Sequence, residues 1–401
     1  MSISASDPPL KGIRVLDLSR VLAGPFCTMN LSDLGAEIIK VEIPQQGDDT
    51  RAYPPFINGV SSYYLSLNRG KKSITLDLKT EEGVKIVHEL ATKSDIVLEN
   101  FRPGVTKRLN IDYDTLKKIN PKLIYCSISS FGQTGPYAQW PGYDLIIQGM
   151  SGLMGITGEQ GSTPMRVGVA VEDINAGLHA VISILAALRV RDQFGVGQYL
   201  DVSMIDAGVS WMTYVAGNYF ATGNVPERMG GAHPSIVPYQ TFPTGDGKYV
   251  LIAGGNDRLF ATLCKILDLE HLIEDPDFKT NDMRVKNRAT LIPIIEDAFM
   301  NKPRDTWLDS LRESGFPCAP VYAMDEVFSD PQVLHRDMLV EMEHPTAGTI
   351  KQIGTPFKFS ESAAGLSTYP PELSEHTEEV LRNLCGYSDA EIKSLREKGV
   401  I

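Results

Sequence analysis

Cysteine is scarce in this chain, five in 401 residues, and no two stand in a CxxC pair. Cys27, Cys126, Cys264, Cys318 and Cys385 are scattered singly, which argues against a disulfide framework and for reduced thiols in a reducing compartment. The seven histidines (His88, His179, His233, His271, His335, His344, His376) are dispersed, with no pair at helical spacing, so no metal site is expected. Positive charge is in deficit, 38 Lys and Arg against 50 Asp and Glu, a net charge of -12. That balance argues against nucleic acid or an acidic membrane as the main partner, while leaving room for a local basic pocket. No run of about 18 uninterrupted apolar residues occurs, so a membrane span is not expected. The opening MSISASDPPLKG has neither an apolar signal core nor an arginine-rich amphipathic pattern. The expected location is the cytoplasm, or the mitochondrial matrix for a form whose presequence has been removed.

With 42% apolar and 22% charged residues, the chain is that of a globular protein long enough for two domains. Short β-branched runs, IRVLDL (13–18), EIIKVE (37–42), DIVLEN (95–100) and LIYCSI (123–128), alternate with helical patterns such as EEGVKIVHELATK (81–93). Strands alternating with helices predict a parallel sheet with right-handed crossovers, an α/β domain of the doubly wound, Rossmann-like kind. A long apolar helix is predicted over 205–220. The Gly- and Pro-rich stretch 223–238 then reads as a linker carrying a loop, and YQTF, KYVLIA and CAPVYA with the helices between them predict a smaller α/β domain. The expected division is 1–222 for the large domain, 223–330 for the small one, and 331–401 as a return segment completing the first.

A dinucleotide fingerprint is missing. After the first strand stands SRVLAGP (19–25) and not GxGxxG. Gly24 and Pro25 suit a tight turn opening a helix, which either binds an anion or is only a turn. NRGKKS (68–73) and ENFRPGVTKR (99–108) gather Arg69, Lys71, Lys72, Arg102, Lys107 and Arg108 at predicted strand ends, where open α/β sheets bind ligands. Such clusters are either anion sites or solvated faces.

The most informative stretch is RVGVAVEDINAGLHAVISILAAL (166–188). Val167, Val169 and Val171 alternate as in a short strand, and Ile174, Leu178, Val181, Ile182, Leu185 and Leu188 recur at helical spacing. Asp173 is therefore placed at a helix N-terminus, where unpaired N–H groups favour an anion. A nucleophilic carboxylate and an N-cap both fit that position.

Taken in order, LKGIRVLDLSRVLAGP (10–25), LGAEIIKVE (34–42), GDDTR (47–51), NRGKKSITLDLK (68–79), VLENFRPG (97–104), PGYD (141–144) and VEDINAG (171–177) resemble the class III CoA-transferases along nearly the whole chain. That family includes formyl-CoA and carnitine CoA-transferases. Further segments, YYLSLNRGKKS, SGLMGITG, HPSIVPYQTF and QVLHRDMLVEMEHP, resemble members that use succinyl-CoA and short dicarboxylates such as glutarate. The resemblance implies Asp173 as the catalytic nucleophile. It implies CoA contacts at Val21, Ala23, Arg69, Lys72, Asn100, Phe101, Arg108 and Tyr143. It also implies a mobile glycine loop at Gly230, Gly231, Ala232 and His233 beside the acyl group. Leu22 replaces the glutamine of the formyl-CoA enzyme and the glycine run is shorter, which argues against oxalate or formate. For a dicarboxylate the candidate cations are Arg102, Arg166 and His233.

The implied reaction needs CoA as co-substrate and no tightly bound cofactor, and the implied assembly is an interlocked homodimer. A related α-methylacyl-CoA racemase reading wants a His base where this chain has Tyr143, and a phenol is a poor general base at neutral pH. A non-catalytic CoA-binding module, with Asp173 only capping its helix, is the remaining alternative.

Overall fold

The computed structural model describes residues 4–401. Six strands form one all-parallel sheet: β1 (Arg14–Asp17), β2 (Glu37–Glu42), β3 (Lys71–Thr75), β4 (Ile96–Glu99), β5 (Ile124–Ser129) and β6 (Tyr199–Ser203). Their order is β3-β2-β1-β4-β5-β6, so the chain reverses direction across the sheet between β1 and β4. This is the doubly wound arrangement, in which ligands bind outside the carboxyl ends of the strands at that switch point.

Alternation of side chains sorts the strands' residues onto two covered faces. Val15, Ile38, Ile96 and Cys126 pack with residues of α1 (Ala23–Asp33) and α4 (Val171–Phe194). Leu16, Ile39, Val97 and Tyr125 pack on the other face with α2 (Glu81–Thr92) and the terminal helix α10 (Asp389–Glu397). α3 (Asp144–Met150) and α5 (Met204–Ser210) join the α1 and α4 face through Ile147, Met204 and Ala207, and α6 (Thr213–Thr222) follows in the chain.

α1 and α4 lie close because Gly177 lets them. A Cβ there would stand 2.8 Å from the Ala23 carbonyl oxygen. α4 stops at Gly195, whose left-handed φ of 70° closes the helix through a 2.7 Å bond from its N–H to the Arg191 carbonyl.

The chain divides into two compact units: Met1–Leu153 with Val167–Ala216 and Pro331–Ile401, and Met154–Arg166 with Gly217–Asp330. Residues 154–166, placed above in the large domain, thus go with the smaller unit. That unit has a three-stranded antiparallel sheet, β7 (Tyr239–Pro243), β8 (Tyr249–Ala253) and β9 (Cys318–Pro320), in the order β9-β8-β7. Phe242, Phe260, Phe299 and Trp307 fill its core, with α7 (Asp257–Ile266), α8 (Arg288–Phe299) and α9 (Arg304–Glu313) around them. In the first unit, β10 (Leu339–His344) and β11 (Gly348–Ile353) form a hairpin.

Two expectations fail locally. The alternating valines at 167–171 form no strand, because α4 already begins at Val171. The helix predicted over 205–220 is broken into α5 and α6, with Thr213 at φ 28° at the break. An apolar pattern is blind to such a break, since both pieces keep the same apolar composition.

Candidate active site

The loops at the carboxyl ends of β1, β4 and β5 and the first turn of α4 enclose a cavity of about 500 Å³. Its wall includes Val21 and Ala23, Asn100 to Pro103, the Phe131 and Trp140 rings, Tyr143 and Asp173. A second cavity of about 470 Å³ lies over the ends of β1, β2 and β3, lined by Leu76 to Lys79 and by Arg108. Arg20, Phe101 and Val105 border both. An extended ligand with a nucleotide at one end and a reactive group at the other fits such a two-chambered groove.

Asp173 is the third residue of α4 and does not cap it. The N-cap is Ala170, which has no capping side chain. Capping falls instead to Asp144 on α3, whose Oδ1 accepts the Glu172 N–H at 2.8 Å while its Oδ2 accepts Gln148 Nε2 at 2.6 Å. Glu172 Oε1 accepts Ser151 Oγ at 2.8 Å. The Asp173 carboxyl is thereby left without a hydrogen bond to any described residue. Burial, then the nearby Asp144 and Glu172 carboxylates, push it up to about 7. Lost hydration and the two like charges thus act against the anion that the helix amides favour. A carboxylate poised near neutrality, free of protein donors and facing a cavity is a nucleophile or base in waiting.

The turn after β1 approaches this carboxylate in a strained form. Val21 has φ 68°, an outlier for a β-branched residue that costs on the order of 1–3 kcal/mol. Beneath it lies a buried ionic cluster. Lys40 and Asp48 pair at 2.8 Å with both side chains essentially inaccessible. Burial works against both charges, but their mutual attraction wins, holding Asp48 low and Lys40 high. Lys71 sits 3.6 Å from Asp17 and donates to the Pro25 carbonyl at 2.9 Å, and burial brings it down to about 7.

The expected basic clusters resolve into unlike parts. Arg69 is buried and spends its guanidinium on Asp33, with bonds of 3.0 and 2.7 Å. Lys72 is in β3, not in a loop, and pairs with Glu379 at 2.8 Å and Glu37 at 3.2 Å. Neither lines either cavity, and each is engaged here in ion pairs within the fold. Arg108 borders the second cavity and Arg102 the first, and neither has an ion pair or side-chain hydrogen bond with a described residue. Asn100 borders the first cavity, yet both ends of its amide bond the Arg20 backbone, at 3.0 and 2.8 Å. Arg166, Gly230, Gly231 and His233 belong to the smaller unit, where Gly230 has φ 61° and its N–H bonds the Gly158 carbonyl. Sequence reading missed Asp144, Glu172 and the stretch 76–79. Asp144 stood in view in PGYD, but only the fold brings it against α4.

The sequence profile of CoA-transferase family III matches residues 10–377. The chain is 45% identical over 394 residues to the succinyl-CoA:glutarate CoA-transferase of Homo sapiens, covering 98% of this chain and 90% of that one. It is 42% identical over 384 residues to the succinate-glutarate CoA-transferase of Agrobacterium fabrum, covering 94% and 96%. Among solved structures, a CAIB/BAIF family protein from Brucella suis superposes with a TM-score of 0.86 at 42% identity, covering 94% of this chain and all of that one.

Proposed function

Because this chain belongs to CoA-transferase family III, an enzyme family that uses CoA as co-substrate, we propose that it moves CoA from succinyl-CoA to glutarate or a similar short dicarboxylate. The observation that carries this reading is an Asp173 carboxyl without a hydrogen bond to any described residue, facing a cavity, in a chain that aligns over 94–98% of its length with two relatives named for that acid pair. Asp173 attacks the thioester carbonyl, the C–S bond breaks, and a mixed anhydride and CoA thiolate result. The thiolate then attacks the aspartyl carbonyl and releases succinate, leaving an aspartyl-CoA thioester. The acceptor carboxylate reverses these two steps, leaves as the new acyl-CoA and restores Asp173. Every bond broken is matched by one formed, and no oxidant or metal enters.

A carboxylate is a weak nucleophile, so orientation must supply much of the rate; well-placed groups reach effective molarities on the order of 10⁵ to 10⁸ M. The nucleotide of CoA belongs in the chamber bordered by Leu76 to Lys79, with Arg108 toward its phosphates. The arm passes Phe101 and Val105 to Asp173. Arg102, which borders the Asp173 chamber and has no ion pair among the described residues, is assigned to the far carboxylate of the acyl group. Tyr143, 75% exposed at the rim, is assigned to the CoA arm. Arg166 and the loop at Gly230, Gly231 and His233 are kept as acyl-side residues on the strength of the family resemblance. A homodimer is supported by the apolar face of α4 described below, and the five free thiols fit a reducing compartment, cytoplasm or mitochondrial matrix.

The test is a trap. Protein incubated with succinyl-CoA and then hydroxylamine is digested and the peptide carrying Asp173 weighed. A hydroxamate on Asp173, absent without succinyl-CoA, supports the mechanism. An unmodified peptide during full-speed transfer sinks it. An acceptor panel in which only monocarboxylates take up CoA sinks the dicarboxylate assignment, and Arg102→Met should raise the KM for dicarboxylates about tenfold while sparing monocarboxylates.

A further inference from the structure

Three of the five residues that join β1 to α1 are gripped one by one by side chains from other strands and the loops that follow them. The Ser19 carbonyl accepts Lys40 Nζ at 2.9 Å. Arg20 gives its N–H to Asn100 Oδ1 and takes Asn100 Nδ2 on its carbonyl. Val21 gives its N–H to both oxygens of Asp48, each at 3.2 Å, and Asp48 is itself fixed by Lys40 and by the Thr50 N–H and Oγ1. Lys40 and Asp48 come from β2 and the loop after it, and Asn100 follows β4, so the strands on either side of β1 hold the turn between them. The result is a left-handed Val21, a backbone state that a β-branched residue does not choose for itself. Strain of this kind persists only where the surroundings over-determine it, and here it borders the chamber of Asp173.

We infer that Asp48 and Asn100 are positioning residues for the transfer reaction, gripping the Ser19–Val21 turn in the shape that aims Val21 and the first amides of α1 at the acyl-CoA. The inference rests on the CoA-transferase reading. Both residues border the chambers, yet their polar atoms are spent within the fold: the Asn100 amide is engaged by the Arg20 backbone at both ends, and the Asp48 carboxylate by the Val21 and Thr50 N–H groups and Lys40. A small misplacement of oriented groups costs up to a hundredfold in rate, which is the scale on which a loosened turn should be felt. Both residues act through one turn, so releasing it a second time should cost little.

Asn100→Ala, Asp48→Asn and the double variant are compared in the full chain for transfer from succinyl-CoA to glutarate. Each single variant should lower kcat about tenfold or more with the KM for succinyl-CoA within about threefold, and the double variant should lose no more than about threefold beyond the worse single. Their effects on thermal unfolding should simply add. Single variants that keep kcat within twofold, or losses that multiply in the double variant, overturn the inference. Should Asp48→Asn fail to fold with Lys40 left unpaired, Lys40→Met/Asp48→Asn removes both charges and takes its place. Hydrogen exchange at the Arg20 and Val21 amides tests the grip without reference to turnover. It should be slow in the wild type and at least tenfold faster in either variant, and unchanged exchange overturns the inference. A wild type that grips its turn but transfers no CoA refutes the functional reading instead.

Discussion

Asp173 is set by burial first and then by neighbours that are themselves carboxylates. Its folded value of about 7 against 3.8 for a free side chain means that the folded protein holds a proton there which the unfolded chain has released. Stability from this site is therefore intact below about pH 4, falls as pH rises between 3.8 and about 7, and reaches its lowest level above that. Asp173→Asn has no charge to hide, so it should be more stable than wild type at pH 8 by about 2 kcal/mol, less than the full shift implies because the group borders an open cavity. At pH 3.5 the two should unfold alike, and a pair of thermal melts checks the sign. Turnover should collapse in the same variant while CoA binding persists. The attacking species is the anion, so wild-type kcat/KM should climb with pH through about 7 and then level. Glu172→Gln removes one of the two charges that raise Asp173, and its profile should move toward acid by a fraction of a unit. A profile fixed in place would mean that Glu172 is not felt at the nucleophile.

At the scale of the element, the strands were legible because a parallel sheet covered on both faces demands nearly continuous β-branched and aliphatic runs. EIIKVE matches β2 residue for residue. The position of Asp173 at the start of α4 was legible too, since it needs only helical periodicity after Ile174. Charges at strand ends were not legible, because the same residue type serves a ligand or a partner depending on what the fold sets opposite. Arg69 met Asp33 from α1, 36 residues away in sequence, and Arg108 met no ion-pair partner among the described residues. The same limit hid Asp144 as the residue that caps α4 across 28 positions. The division can be tested directly. Arg108→Ala should raise the KM for acyl-CoA about tenfold with little change in unfolding. Arg69→Met strands the Asp33 charge in the interior and should cost about 3 kcal/mol in stability, with KM unchanged in the protein that folds. Lys72→Ala, whose pairs are partly exposed, should change neither by more than a small margin.

At the scale of the whole molecule, α4 is apolar on more sides than one chain can cover. Ala180, Val181, Ile184, Ala187 and Leu188 enter the core, while Leu178, Ile182 and Leu185 run along the opposite side and Ile182 is 62% exposed. Val209 and Trp211, on and just after α5, add to the exposed apolar surface. A helix hydrophobic all round belongs in an interior, and a contiguous apolar face of this kind marks an interface. We propose a second copy of the chain as the missing cover, as the family resemblance implies. Wild type should then sediment at twice the 44.1 kDa of the chain at micromolar concentration. Placing charge in the middle of that face, Ile182→Glu, should shift the mass toward a single chain, because a carboxylate would be buried there with no cation opposite it. A variant that still sediments as a dimer would move the interface elsewhere. Wild type at the mass of one chain would remove the dimer altogether, and leave the apolar side of α4 without an occupant.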